Sequence, residues 1–383
     1  MMSDKKLESV LAVLQGRLDR VNAYYIRKIA SQIRDIGELG QANINRLVIM
    51  AEMTSNVTEI TRMLEIATRM NTRDIQKIFD AAMMEVHTDR RFSRAFSGGE
   101  VPPETRQRMN QYARGIASQT AKTMLNLSNT TAIAKPYQEA VDKAIYAVSA
   151  GLVGYKEATR QVVRDIGHNG LMVEYASGHR RRLDTAVRQN IIDGANQIAQ
   201  QGAKAMGEAL GYDAVELTAH RFSAKDHEPV QGRAFLLPEF EKMQNEQAHV
   251  DIDGNEYASF KRPIAEWNCK HIALPFNSKG SVRVYSDEQL SEWAEKNNEG
   301  CKVDGKHYTI YEASQLMRRI ETEVRRWKDV SNAARDAEDD LLRQEGQEHI
   351  NTLVAKYNQV ARLSGLRPRR DRMTVEGFRR LAS

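Results

Sequence analysis

The chain has 383 residues, of which 41% are hydrophobic, 28% charged and 7% aromatic, with a net charge of +5. That length accommodates two or three domains, the apolar fraction supports a packed core, and so small a charge does not by itself mark a nucleic-acid binder. Two cysteines in so long a chain, Cys269 and Cys301, argue against a disulfide framework and for a reducing compartment. No apolar run approaches membrane-spanning length, and the first twenty residues lack the layout of a signal peptide, so synthesis in a cytosol is expected.

The first two hundred residues read as helix. Leu7, Val10, Leu11, Leu14, Leu18 and Val21 recur at three- and four-residue spacing. Asn71 is an N-cap candidate for a helix striped by Ile75, Ile78, Phe79, Ala82 and Met83. Gly98, Gly99 and two prolines then break the pattern, and Pro103 suits the first turn of the next helix. Pro136 plays the same part for the helix that Gly151 can end. A long amphipathic helix follows, with Val187, Ile191, Ala195, Ile198, Met206 and Leu210 on one face and Gly211 as its stop. Arg180, Arg181 and Arg182 read as its opening turn. Cations are mildly unfavourable at a helix N-terminus, so these three are expected to have acidic or phosphate partners.

At residue 212 the period changes. Val215, Leu217 and Ala219 alternate, which predicts a strand, and 233–237 and 281–285 are short strand candidates. Asp253-Gly254 and Asp304-Gly305 are hairpin turn signals. Ser286 and Gln289 stand in capping-box spacing before a short helix, and Thr309 and Glu312 before a long one. The latter carries a narrow stripe of Leu316, Ile320, Val324 and Trp327. Its pattern runs on toward Ser364, with Gly346 as the candidate break. So charged and narrowly striped a helix is expected to pack on another long helix or on a partner.

Phosphate loops, dinucleotide fingerprints, nucleophile elbows and paired CxxC motifs are missing. The chemistry-bearing residues concentrate in "AHRFSAKDHEPVQGRAF" and "WNCKH". Asp226, His227, Cys269 and His271 are candidate metal ligands, because Cys269 and His271 would face the same way on a strand. Their spacing is not a zinc pattern, and the expected assignment is no cofactor. On that reading Asp226 caps a turn, His227 bonds locally and Cys269 is a small buried residue. Trp267 is expected to fill space at a corner and Asn268 to hold irregular backbone. Gln231 is placed to hydrogen-bond, and Gly232 to permit a tight approach. A catalytic pair of Cys269 with His220 or His227 lacks a helix N-terminus to activate the thiol.

Four segments, in order, resemble phage minor capsid proteins of the "minor capsid protein 2" type, a family related to the Mu F and SPP1-type head morphogenesis proteins. They are "YASGHRRRLDTAVRQNIIDGANQIA", "VELTAHRFSAKDHEPVQGRAF", "WNCKHIALPF" and "MRRIETEVRRWK" followed by "GLRPRRDRM". Polar positions typical of the family map onto Ser177, Gly178, Arg188, Gln197, His220 and Asp226. Further ones are His227, Gln231, Gly232, Asn268, Cys269 and His271. The chain departs from the family at the glycine-free "ASFKRPIAE" and at Lys270, where arginine is commoner.

The resemblance implies a low-copy, non-enzymatic component of a tailed-phage head. It would sit near the portal and assist head assembly or DNA packaging and delivery. The virion, after the host cytoplasm during assembly, would be its location, and no membrane is involved. Its expected partners are the portal protein, other capsid or scaffold subunits, and packaged DNA. They would be met by Arg180, Arg181 and Arg182, by Arg318, Arg319, Arg325 and Arg326, and by Arg367, Arg369, Arg370 and Arg372. The expected fold is mainly α: a helical region 1–211, a small α+β domain 212–308, and a long basic helix and tail 309–383.

Overall fold

The computed structural model describes residues 4–39, 45–69, 102–149, 155–267 and 269–381. Ten helices lie among them: α1 Asp4–Leu39, α2 Arg46–Thr68, α3 Pro103–Asn129, α4 Ala134–Ser149, α5 Tyr155–Asn169, α6 Leu183–Leu210, α7 Leu237–Gln244, α8 Asp287–Glu299, α9 Ile310–Asp336 and α10 Asp340–Ser364. The chain is mainly α with small sheets. The helix expected from Asn71 lies outside the described residues.

Helix α1 is the hub, packing on α2, α4, α5, α6 and α9. The side chains of Leu7 and Val10 lie outside the described residues; of the rest of the predicted stripe, Leu11, Leu14, Leu18 and Val21 are buried, and Tyr25 and Ile29 continue the face. Each such large side chain contributes about 1.5–3 kcal/mol on leaving water. Pro103 is the first residue of α3, and Gly211 closes α6 in the left-handed conformation at φ 63°.

Arg180–Arg182 is not a helix opening. It forms β3, pairing with β2 (Met172–Glu174), which pairs in turn with β1 (Thr131–Ala132). Helix α6 begins one residue later, with Asp184 in its first turn, where an anion suits the dipole.

The second half carries a three-stranded antiparallel sheet, with β4 (Ala214–Leu217) between β5 (Ala234–Leu236) and β8 (Ala273–Phe276). Alternation was expected for β4, yet all four residues are buried, because it is the central strand and covered on both faces. Its Glu216 accepts the Val284 N–H at 2.7 Å, so 281–285 is irregular rather than a strand. Both hairpins form. β6 (His249–Val250) pairs with β7 (Glu256–Tyr257), and β9 (Cys301–Val303) with β10 (Lys306–Tyr308). Asp304 and Gly305, at φ 49° and 79°, make the tight turn their sequence predicts.

The two predicted caps are present. Ser286 Oγ accepts the Gln289 N–H, and Thr309 with Glu312 bond reciprocally. The helical run beyond Thr309 breaks at 337–339 rather than at Gly346. Glu338 takes φ 55°, and Asp339 accepts the Leu342 N–H to start α10. The two helices fold back antiparallel: Trp327 stacks on His349 at 3.8 Å, and Glu321 meets Tyr357 at 2.8 Å. Gly346 is the close-packing point, where a Cβ would lie 3.1 Å from Ser331 Oγ.

Candidate functional site: a buried Cys–His cluster and the arginine patches

The loop after β4 and the segment before β8 converge under the small sheet. Cys269 Sγ lies 3.3 Å from His227 Nδ1 and 3.4 Å from His271 Nδ1, and the His271 N–H donates to the sulfur at 3.4 Å. All three residues are withdrawn from water, at 1%, 0% and 2% exposure. Residues 269–271 are not in a strand, so the convergence comes from irregular backbone. Helix α6 holds that backbone. Asn196 Nδ2 donates to the Cys269 carbonyl at 2.8 Å, and Gln200 bonds both N–H and C=O of Ala273.

A second layer surrounds the three. His227 Nε2 is 2.8 Å from the Arg262 carbonyl. His271 Nε2 is 3.4 Å from both Gln231 Oε1 and Ser223 Oγ, while the same Gln231 oxygen accepts the His220 N–H at 3.1 Å. His220 stacks on His271 at 4.4 Å, and its buried Nε2 has no hydrogen-bond partner. Gly232, at φ 68°, admits Leu290, whose Cδ2 would be 2.9 Å from an added Cβ.

Asp226 does not join the cluster. It is an exposed carboxylate in a bidentate pair with the Arg262 guanidinium, at 2.8 and 3.0 Å, and it also accepts the His227 N–H. Trp267, expected to fill space, is 56% exposed and sits at φ 49°, so its ring packs no core. Asn268 lies outside the described residues.

Burial pushes the Cys269 thiol above its ordinary pKa. Burial, with the positive charge of Arg262, lowers His227, and burial with the neighbouring imidazoles holds His271 well below its usual value. With no cation present, these shifts favour neutral thiol and neutral imidazoles. A cysteine nucleophile needs the opposite, a thiolate beside an imidazolium.

The arginines fall into two groups. Arg182 is buried on Asp329 at 2.8 Å and Asp184 at 3.6 Å, and Arg325 reaches Asp184 at 2.5 Å and Asp19 at 3.0 Å. These two hold the helical frame together from inside. Arg180 pairs with Glu174, Arg181 with Gln189, Arg326 with Glu323, and Arg369 faces Asp371. Arg318, Arg319, Arg367 and Arg370 are exposed, the last bonding Asn358. Arg372 approaches Glu321 at 3.9 Å.

Asn196, Gln200, Ser223 and Arg262 were not singled out from the sequence. Only the i, i+4 spacing of Asn196 and Gln200 on an otherwise apolar helix face hints at their shared role.

Fold and site together define a mainly helical protein carrying a small α+β unit around a buried Cys–His cluster. The family model described as "Phage minor capsid protein 2" matches residues 3–360, and the chain belongs to that family. Membership supports a structural role in the phage virion, in contact with other capsid components. No curated protein and no solved structure matches the chain. Among the described residues no helix is long and apolar enough to cross a membrane.

Proposed function

We propose that this minor capsid protein is a low-copy, non-enzymatic head component near the portal. There it would assist head assembly or DNA packaging and delivery, joining portal and scaffold subunits in the host cytoplasm. Family membership supports the structural role, and the relatedness that the sequence resemblance implies between this family and the Mu F and SPP1-type head morphogenesis proteins suggests the placement. One structural observation favours an anionic partner. Arg188 of α6, Arg318 of α9 and Arg372 of the tail share one neighbourhood. Crowding by protein atoms, then repulsion from Arg372 and Arg188, partly offset by Glu321, lowers the Arg318 pKa, although part of that side chain stays exposed. Guanidiniums that repel one another are stabilised by DNA phosphates or an acidic protein face.

The reading is tested by removing the protein from its phage and examining the particles. Reduced DNA content or infectivity, with labelled protein confined to one vertex of complemented heads, is expected. Full infectivity without it, or label spread evenly over the shell, counts against the placement. Arg318→Ala with Arg319→Ala and Arg370→Ala should weaken capture of portal or duplex DNA in low salt.

A further inference from the structure

We propose that His227, Cys269 and His271 form a zinc site, with Nδ1 of both imidazoles and the Cys269 thiolate as ligands and solvent in the fourth position. The three donor atoms lie within 4.8 Å of one another. Zinc binds sulfur at about 2.3 Å and imidazole nitrogen at about 2.0–2.1 Å, which places tetrahedral S···N edges near 3.5 Å. The observed S···N separations of 3.3 and 3.4 Å match those edges, and the two nitrogens, within 4.8 Å of each other, would close toward about 3.4 Å on binding.

The hydrogen-bond pattern outside the cluster carries the argument further. The Arg262 carbonyl can only accept, so His227 Nε2 carries its proton and Nδ1 presents a lone pair to the sulfur. The His220 N–H fixes the nearby atom of Gln231 as oxygen. His271 Nε2 therefore donates to Gln231, and its Nδ1 also presents a lone pair to the sulfur. A thiol has one hydrogen. It satisfies one of these nitrogens and leaves the other facing sulfur lone pairs among buried side chains, which is unfavourable. A cation between the three atoms satisfies both nitrogens and the thiolate together. The arrangement of ligand Nδ1 with Nε2–H held by a carbonyl or amide oxygen is the usual second layer of a metal-bound histidine.

The unit containing the cluster has reason to need such a staple. Its three-stranded sheet has strands of only three or four residues, and its apolar clusters are small. A metal joining the 223–232 loop to the 269–271 segment ties together two stretches that no strand ladder connects. Thiolate plus two imidazoles suits zinc rather than magnesium or calcium, which prefer oxygen donors.

The experiment is metal analysis of the full-length protein purified from medium containing zinc and copper, followed by chelation and cobalt(II) reconstitution. About one zinc per chain is expected, with a thiolate-to-cobalt charge-transfer band after reconstitution. Zinc returned to the stripped protein should raise Tm by about 5 °C. Cys269→Ser and His227→Gln should abolish the charge-transfer band and the zinc-dependent shift, respectively. Asp226→Asn should keep both, because that carboxylate stands outside the cluster. Wild-type protein that binds no zinc and whose Tm ignores chelator and added zinc would refute the site, as would stoichiometric copper in place of zinc. The wild-type measurements stand even if a variant fails to fold.

Discussion

Arg182 Nη2 lies 2.8 Å from Asp329 Oδ2, and the two side chains are 5% and 3% exposed. The pair joins β3 to α9 across 147 positions of sequence, and Asn22 of α1 donates to the same carboxylate oxygen at 3.3 Å. Burial raises the Asp329 pKa despite Arg182. At Asp184 burial acts the same way, but Arg325 and Arg182 outweigh it and hold that carboxyl well below its usual range. Removing Asp329 leaves the buried Arg182 with only the longer Asp184 contact, at 3.6 Å, to balance its charge. Asp329→Ala should destabilise the protein by about 3–5 kcal/mol in urea unfolding, whereas replacing Arg182 and Asp329 together by Met and Leu should recover most of that loss. Equal losses for the single and double variants would contradict the pairing.

Asp19 gives the same cluster a pH dependence. Burial, partly offset by Arg325 and reinforced by Asp184 and Asp329, pushes its pKa from 3.8 up to about 6. Between those values the folded chain keeps a proton that the unfolded chain releases, so this group's contribution to stability falls as pH rises from about 4 to about 6. Asp19 is 17% exposed. Asp19→Asn should flatten that stretch of the Tm–pH curve and stabilise the protein at pH 7 by about 1–3 kcal/mol, less whatever Arg325 loses. A variant curve parallel to the wild type from pH 4 to 7 would rule the assignment out.

Gly167 of α5 faces the backbone of α9, where an added Cβ would stand 2.6 Å from Val330 Cα. Backbone cannot yield as a side-chain tip can. Gly167→Ala should therefore force the helices apart and cost about 1–3 kcal/mol by overpacking. Thermal unfolding checks this, with Gly16→Ala as the control, since nothing lies within 4 Å of a Cβ there.

Tyr357 anchors the basic tail. Its hydroxyl donates to Glu321 at 2.8 Å and accepts the Arg369 N–H at 2.7 Å. Tyr357→Phe should cost about 1–3 kcal/mol and speed tryptic cleavage after Arg369, Arg370 and Arg372, while the helical frame stays protected. Tail cleavage at the wild-type rate would show that other contacts hold it.

These relationships also mark what could be read from the sequence. Local signals held where local physics decides: the α1 stripe, the Thr309–Glu312 capping box, Pro103, Gly211, and the Asp304-Gly305 turn. Long-range relationships were not readable. Three adjacent arginines beside a helix start call for acidic or phosphate partners, but only the fold shows that Asp329 and Asp184 meet Arg182. Gly346 reads as a helix breaker, yet a neighbouring helix makes its missing side chain useful, and the chain turns at Glu338 instead. Trp267 is the reverse case, a large apolar ring that a left-handed backbone leaves in water. Cys269 and His271 come together through irregular backbone, not through the strand geometry that their spacing suggests. Asp226 was grouped with them, although Arg262, distant in sequence, draws it away.

Gln200 has a consequence for assembly. By bonding both backbone groups of Ala273, its amide acts as one rung of a missing strand along the outer edge of β8. With that rung filled from α6, a neighbouring chain cannot add a strand to this edge without first displacing the helix. The small sheet is thus guarded along its β8 side against open-ended growth.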